Sequence, residues 1–183
     1  RDISERKEHE ASKLLNEARL ESLLRILQFR KRTISEFLDY ALNEAITLTR
    51  STIGYIYFYD EEKREFTLNS WSRGVMKECT IRDPLSIYQL DKTGIWGEVV
   101  RQKRPIIVND FQAPDPLKKA YPEGHANLFR WMSLPVFSND KIVAVIGIAN
   151  KETNYDHDDI RQLNLLMSSV WSFVENEKMG ETI

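Results

Sequence analysis

Apolar residues recur at helical spacing through the first third of the chain. Ala11, Leu14, Leu15 and Ala18 form one set, and Leu20, Leu23, Leu24 and Leu27 continue it with a shifted phase. Neither Gly nor Pro occurs before Gly54, so nothing interrupts a helix there. The apolar seam is narrow and the charged face wide. That pattern serves either a partner helix or a helix laid back on its own domain. Thr33 with Glu36 has the form of a capping box and predicts the start of a second helix. Ile34, Phe37, Leu38, Ala41, Leu42, Ala45 and Ile46 give this helix a broader apolar face, suited to packing on a sheet.

The pattern then turns to strands. Thr52 to Tyr59 is rich in β-branched and aromatic residues, with Gly54 as its weak point. The charged run Asp60 to Glu65 reads as a hairpin turn. Phe66, Leu68, Ser70 and Ser72 alternate with Thr67, Asn69 and Trp71 in the returning strand. A short strand is expected around Cys79 to Arg82. Thr93 is placed to cap a helix over Gly94 to Gln102, Pro105 ends it, and Ile106 to Val108 forms a short strand. Asp110 to Asn127 holds three prolines and Gly124; it reads as irregular, with one helical turn near Leu117 to Tyr121. Two long strands follow, Phe129 to Phe137 and Lys141 to Ala149, joined by a turn at Ser138-Asn139-Asp140. Asp156 is placed to cap an amphipathic helix through Glu175, whose Ile160, Leu163, Leu166, Met167, Val170, Trp171 and Val174 recur at i+3 and i+4.

Consecutive hairpins imply an antiparallel sheet. The terminal helices can cover one face and the middle segment the other. The expected class is α+β, in α/β/α layers around one sheet.

Composition narrows the function classes. The chain has 183 residues, 30% of them charged, with a formal net charge of -2. Nothing in that balance attracts nucleic acid. The longest strongly apolar run, Ile142 to Ala149, is far too short to span a bilayer, and direct membrane contact is not expected. The charged start of the chain is unlike a signal peptide. A single cysteine, Cys79, excludes an internal disulfide and any cysteine-based zinc cluster. A reducing, cytoplasmic setting is expected.

The order of elements and several stretches resemble the GAF domain over about Ile34 to Glu175. Asn150-Lys151, Tyr155 and Asp158-Asp159 are similar to the Asn-Lys…Phe…Asp-Glu motif of many GAF domains, with Tyr in place of Phe and no Glu after the acid. The resemblance implies an ion pair between Lys151 and Asp158 or Asp159 that ties the last strand to the terminal helix, a structural role. The departures weaken any expectation of cyclic nucleotide binding. Trp71-Ser72, Glu78-Cys79, Thr93 to Glu98, Pro105 to Asp110 and Tyr121 to His125 look like the GAF subfamily of bacterial and archaeal sensor kinases. Arg1 to Lys7 is similar to the end of a PAS domain. This implies that residues 1–32 are a linker helix after an upstream PAS domain, 33–177 the GAF domain, and 178–183 a tail toward an output module, typically a histidine kinase of a two-component system. The domain itself is not expected to be an enzyme.

GAF domains place ligands between the sheet and the middle segment, here Cys79 to Phe129. Trp71, Tyr88, Trp96 and Trp131 are candidates to line such a site, and equally candidates for plain core. A thiol can attach to a tetrapyrrole vinyl group, and a neutral imidazole can be the axial ligand of haem iron. The resemblance to haem-binding GAF sensors of archaeal kinases implies these roles for Cys79 and His125. Each residue also has a structural reading, Cys79 as a small buried hydrophobe and His125 as a loop hydrogen-bond partner. His9 and His157 lie in charged helical contexts and suggest no metal site.

Three functions remain open. The first is a sensory module, with haem or another small ligand or redox state read through the terminal helices of a homodimer. The second is a ligand-free dimerisation spacer with a site packed shut by tryptophans. The third is a reductase of free methionine sulfoxide, which the single cysteine argues against because a resolving thiol is missing.

Overall fold

The structure is a computed structural model and describes residues 2–29, 33–72, 87–110 and 128–181. Helices α1 (Asp2–Gln28) and α2 (Ile34–Leu48) come first, followed by strands β1 (Ile53–Asp60) and β2 (Glu65–Trp71). Strand β3 (Ile87–Gln89) leads through two 3-10 turns into the short helix α3 (Glu98–Gln102). Strands β4 (Ile106–Val108), β5 (Trp131–Ser138) and β6 (Lys141–Ala149) complete the sheet, and helix α4 (His157–Glu181) closes the chain.

The six strands lie in the order β3-β2-β1-β6-β5-β4, and every pairing is antiparallel. The layering is therefore α+β around one sheet, as the hairpin pattern predicts. Asn139 and Asp140 both adopt positive φ, 52° and 63°. That is the primed turn whose twist matches a two-residue hairpin, and it sets the β5–β6 register. Two bulges re-aim side chains. Asn69 is the extra residue of β2 opposite Ile56 and Tyr57, and Val143 is the extra residue of β6 opposite Val136 and Phe137. Beyond the second bulge Ile142 faces the opposite side of the sheet from Ala144, because one added residue reverses the alternation.

One sheet face packs on α2 and α4, and α1 packs on those two helices. Phe37, Leu38, Leu42, Ile56, Met132, Leu134, Ile146, Ile148, Leu163, Met167, Val170 and Trp171 are buried there in one core. Helix α2 begins where Thr33 Oγ1 accepts the amide of Glu36 at 3.1 Å. The return bond from the Glu36 side chain is not made among the described residues. Helix α1 lies back on its own domain through Ala18, Leu23 and Ile26. Leu14, Leu20, Leu24 and Leu27 face outward, at 65%, 56%, 56% and 47% exposure, and Leu15 is half-buried. The fold-back reading of the narrow seam therefore holds for Ala18, Leu23 and Ile26. A polar cluster joins α1 to α4. Gln162, buried, donates to Asn16 Oδ1 at 2.8 Å and accepts from Arg19 at 2.8 Å.

Three expectations need correction. Thr93 does not cap a helix over Gly94 to Gln102. A 3-10 turn at Ile95–Gly97 precedes α3, and the Thr93 hydroxyl donates back to Leu90 O at 2.6 Å. The guanidinium of Arg101 bonds Leu90 O, Thr93 O and Gly94 O, holding the tighter turn. The last helix runs six residues past Glu175, to Glu181. Strand β3 was not foreseen. The strand expected near Cys79 and the turn near Leu117 lie outside the described residues.

Candidate ligand site

The second sheet face is aromatic. Along β1, Tyr55, Tyr57 and Tyr59 alternate with Ile56 and Phe58, which belong to the helix-side core. The same alternation puts Trp131 on this face of β5 and Met132 on the other. Trp131 is buried with Ile53, Ile95, Leu128 and Ala149, and Trp71, Trp96, Ile106 and Val108 pack against them. Tyr88 and Trp96 pack on a neighbouring group built on Tyr57, Phe66, Val99 and Val145. All four aromatic residues singled out in the sequence therefore share one face. Trp96 belongs to both groups, with ring centroids 5.0 Å from Phe66, 5.1 Å from Tyr88 and 5.5 Å from Tyr57.

Tyr55 lies across β6. A Cβ at Gly147 would stand 2.2 Å from its Cζ atom, so only glycine lets the phenol pass there. The hydroxyl reaches Trp131, whose indole Nε1–H donates to it at 3.2 Å. Burial pushes the Tyr55 hydroxyl up to about 12, with the Trp131 and Ser133 hydrogen bonds opposing. Burial also raises the Tyr57 hydroxyl, helped by neighbouring Tyr88 and Tyr55. Tyr57 is 6% exposed, and its hydroxyl makes no hydrogen bond among the described residues. It stays protonated at neutral pH, a donor within the aromatic wall. Tyr55 and Tyr57 were missed as wall residues because a β1 of mixed aromatics and aliphatics does not reveal which set faces the helices.

A latch ties this sheet to the last helix. Lys151 Nζ lies 2.9 Å from both carboxylate oxygens of Asp159. Asp159 Oδ2 also accepts the amide of Asp156, while Asp156 Oδ1 accepts those of Asp158 and Asp159. Asp156 and Asp159 thus form a reciprocal cap on α4, and Lys151 joins it to the end of β6. Asp158 is not part of the ion pair. Burial pushes the Asp159 carboxyl upward, and the Lys151 pairing acts against it. Beside the latch, Asn109 and Tyr155 exchange two hydrogen bonds, 2.8 and 3.1 Å. The Tyr155 hydroxyl is 2.6 Å from Ser51 Oγ, and burial pushes it up to about 12.

Cys79 and His125 lie outside the described residues. Among the described residues no group of three or more His, Cys, Asp or Glu side chains is arranged to hold a metal ion. Nor is any described helix long and apolar enough to cross a membrane.

A family model of the GAF domain matches residues 31–175. The chain belongs to the GAF domain family. It is 44% identical over all 183 residues to the "Methyl sulfide methyltransferase-associated sensor" of Methanosarcina acetivorans, of whose length it spans 18%. This GAF domain also resembles solved structures at low identity. One is the GAF domain of an Acinetobacter phosphoenolpyruvate-protein phosphotransferase, with a TM-score of 0.67 at 17% identity, covering 90% of this chain and 98% of that one. Another is the free methionine-R-sulfoxide reductase of Neisseria meningitidis, with a TM-score of 0.70 at 13% identity and 93% of each chain covered. At those identities the likeness speaks for the fold.

Proposed function

We propose that this GAF domain is the sensory module of a larger signal-transduction protein, taking up a ligand or redox signal on the aromatic face and passing it to α1 and α4. The observation that carries the proposal is the alternation along β1 and β5. Tyr55 and Trp131 stand in the wall, while their neighbours Ile56 and Met132 stand in the core against the helices. Packed cores respond to displacement as rigid bodies, so a shift of Trp131 is felt by the helices one residue away in sequence. The Lys151–Asp159 latch and the Gln162 cluster carry it onward to α4 and α1. The 44% identity of this chain to a stretch of the Methanosarcina acetivorans sensor supports the same reading.

Within this proposal the ligand is haem. The roles that the family resemblance implies would then fall to His125 as axial ligand and Cys79 as covalent tether. Bound there, the group would supply a redox-active or gas-binding iron. Upstream and downstream, the proposal places a PAS domain and a histidine kinase. The helices transmit as a homodimer, with Leu20, Leu24 and Leu27 of α1 as the seam between copies. This stripe recurs at i, i+4 and i+7 and is left exposed, the pattern of a helix awaiting a second helix.

The test is the absorption spectrum of the purified domain after haem reconstitution, beside Cys79→Ala and His125→Ala. A Soret band that moves on loss of His125, and haem that becomes extractable by acid solvent on loss of Cys79, are expected. Folded protein without a stoichiometric Soret band would end the haem proposal. A spacer reading rests on one observation, the packing of Trp96 against Phe66, Tyr88 and Tyr57, which closes that part of the wall. The single cysteine continues to argue against reductase chemistry.

A further inference from the structure

A concavity lies at the end of the sheet away from Trp131. Tyr59 and Ile53 are six residues apart on β1, which separates this place from the Trp131 group by about 20 Å. The cavity measures about 430 Å³, within the range of small-molecule sites. Its floor is apolar: Leu90, Val100, Ile142 and the ring of Tyr59. Ile142 reaches it only because the Val143 bulge turns it away from the helix-side core. The rim carries charge, with Arg64, Arg101 and Lys103 against one carboxylate, Glu61.

The hydrogen bonds already made decide what the rim can still do. Arg101 is committed to the carbonyls of Leu90, Thr93 and Gly94 and to Glu98. Glu61 accepts the amide of Ile142 at 3.0 Å. Arg64 meets Asp91 through Nη2 alone, at 2.9 Å, and that pair is widely exposed, which makes it weak. Lys103 has no hydrogen bond or ion pair among the described residues. The hydroxyl of Tyr59 has no hydrogen bond there either, although the residue is only 8% exposed. Burial raises its pKa above the ordinary tyrosine value, so it remains a donor at neutral pH. Arg64 and Lys103 both hold left-handed backbone, φ 55° and 54°, at the two turns that flank the cavity. Three donor groups thus surround an apolar floor, against one carboxylate, Glu61, which holds the Ile142 amide through Oε1.

We propose that this cleft binds a small organic carboxylate with an apolar body. The carboxylate is met by Lys103 and Arg64, with the Tyr59 hydroxyl as third donor, and the body lies on Leu90, Val100 and Ile142. A bare inorganic anion would leave that floor wet, and an uncharged apolar molecule would leave the donors unanswered. The site lies on the same sheet face as the aromatic residues but at its other end, about 20 Å from the Trp131 group, so it is distinct from a ligand seated against Trp131.

Amide NMR titration of the 183-residue chain with phenylacetate, benzoate and hexanoate tests it. The expected result is shifts at the amides of Leu90, Val100, Lys103 and Ile142 with at least one acid, and affinity about tenfold lower for the matching carboxamide. Lys103→Gln and Arg64→Gln, both at exposed positions, weaken the same acid several-fold. Absence of those shifts with all three acids at about 10 mM, equal binding of the carboxamide, or unchanged affinity in both variants would each overturn the proposal. Haem uptake by Lys103→Gln stays that of the wild type, so failure here and failure of the haem proposal are told apart.

Discussion

The indole of Trp131 and the phenol of Tyr55 are joined at 3.2 Å across the bare backbone of Gly147. Tyr55, Gly147 and Ser133 stand opposite one another on β1, β6 and β5, so a side chain from β1 reaches a strand it does not pair with. Gly147→Ala must push the Tyr55 ring aside. The expected cost is about 1–3 kcal/mol, with loss of near-ultraviolet ellipticity from Trp131. Tyr55→Phe keeps the ring and loses only the bond, at about 1 kcal/mol. Chemical denaturation of both variants checks this, and an alanine variant as stable as wild type would mean that Tyr55 does not lie on β6.

Alkaline pH should destabilise the domain through the buried hydroxyls of Tyr55 and Tyr155. Tyr55 and Tyr155 are raised by burial from 10.0 to about 12. In the unfolded chain both lose their protons near the ordinary value while the folded chain still holds them. Their contribution is therefore complete below pH 10 and is lost progressively between pH 10 and about 12. Urea midpoints measured across that window should fall steadily, and Tyr55→Phe should flatten the fall. A midpoint independent of pH there would contradict the burial of both hydroxyls.

The Lys151–Asp159 pair should behave as a latch and not as surface decoration. Lys151→Met strands a carboxylate whose side chain is 8% exposed and should cost about 1–3 kcal/mol. Asp159→Asn breaks the pair and the α4 cap together. The double variant should lose less than the sum of the two, by about 0.5–3 kcal/mol, because neighbouring residues couple. Strict additivity would separate the cap from the ion pair.

The exposed stripe on α1 makes a plain solution prediction. Leu24→Asp should convert a dimer to a monomer in sedimentation velocity while changing monomer stability by no more than about 0.5 kcal/mol. A wild-type chain already monomeric at high concentration would remove the helix-pairing route.

Much of the fold was legible because it rests on local rules. The α2 face and the β5–β6 hairpin follow from periodicity and turn chemistry, and Asp156 as the start of α4 follows from capping. The pairing of Lys151 with the acidic residues was legible only through family likeness. Spacing could not choose between Asp158 and Asp159. The helix puts only Asp159 where it can face both Lys151 and the Asp156 amide. Strand β3 escaped notice because three residues, Ile87 to Gln89, carry too little pattern. They are a strand only because β2 offers Glu65, Phe66 and Thr67 as partners. Thr93 looked like a cap, yet its hydroxyl is claimed by Leu90 and Arg101.

What the sequence alone determined is the class of the domain and its layering around one antiparallel sheet. Alternation and helical spacing are local properties that burial then obeys. What only the tertiary structure decided is which apolar seam residues stay outside, which aromatic residues gather on one wall, and where uncommitted donors meet. Tyr59, Lys103 and Ile142 are far apart in the chain. Their nearness depends on strand order and on one extra residue at Val143, and no local pattern encodes either.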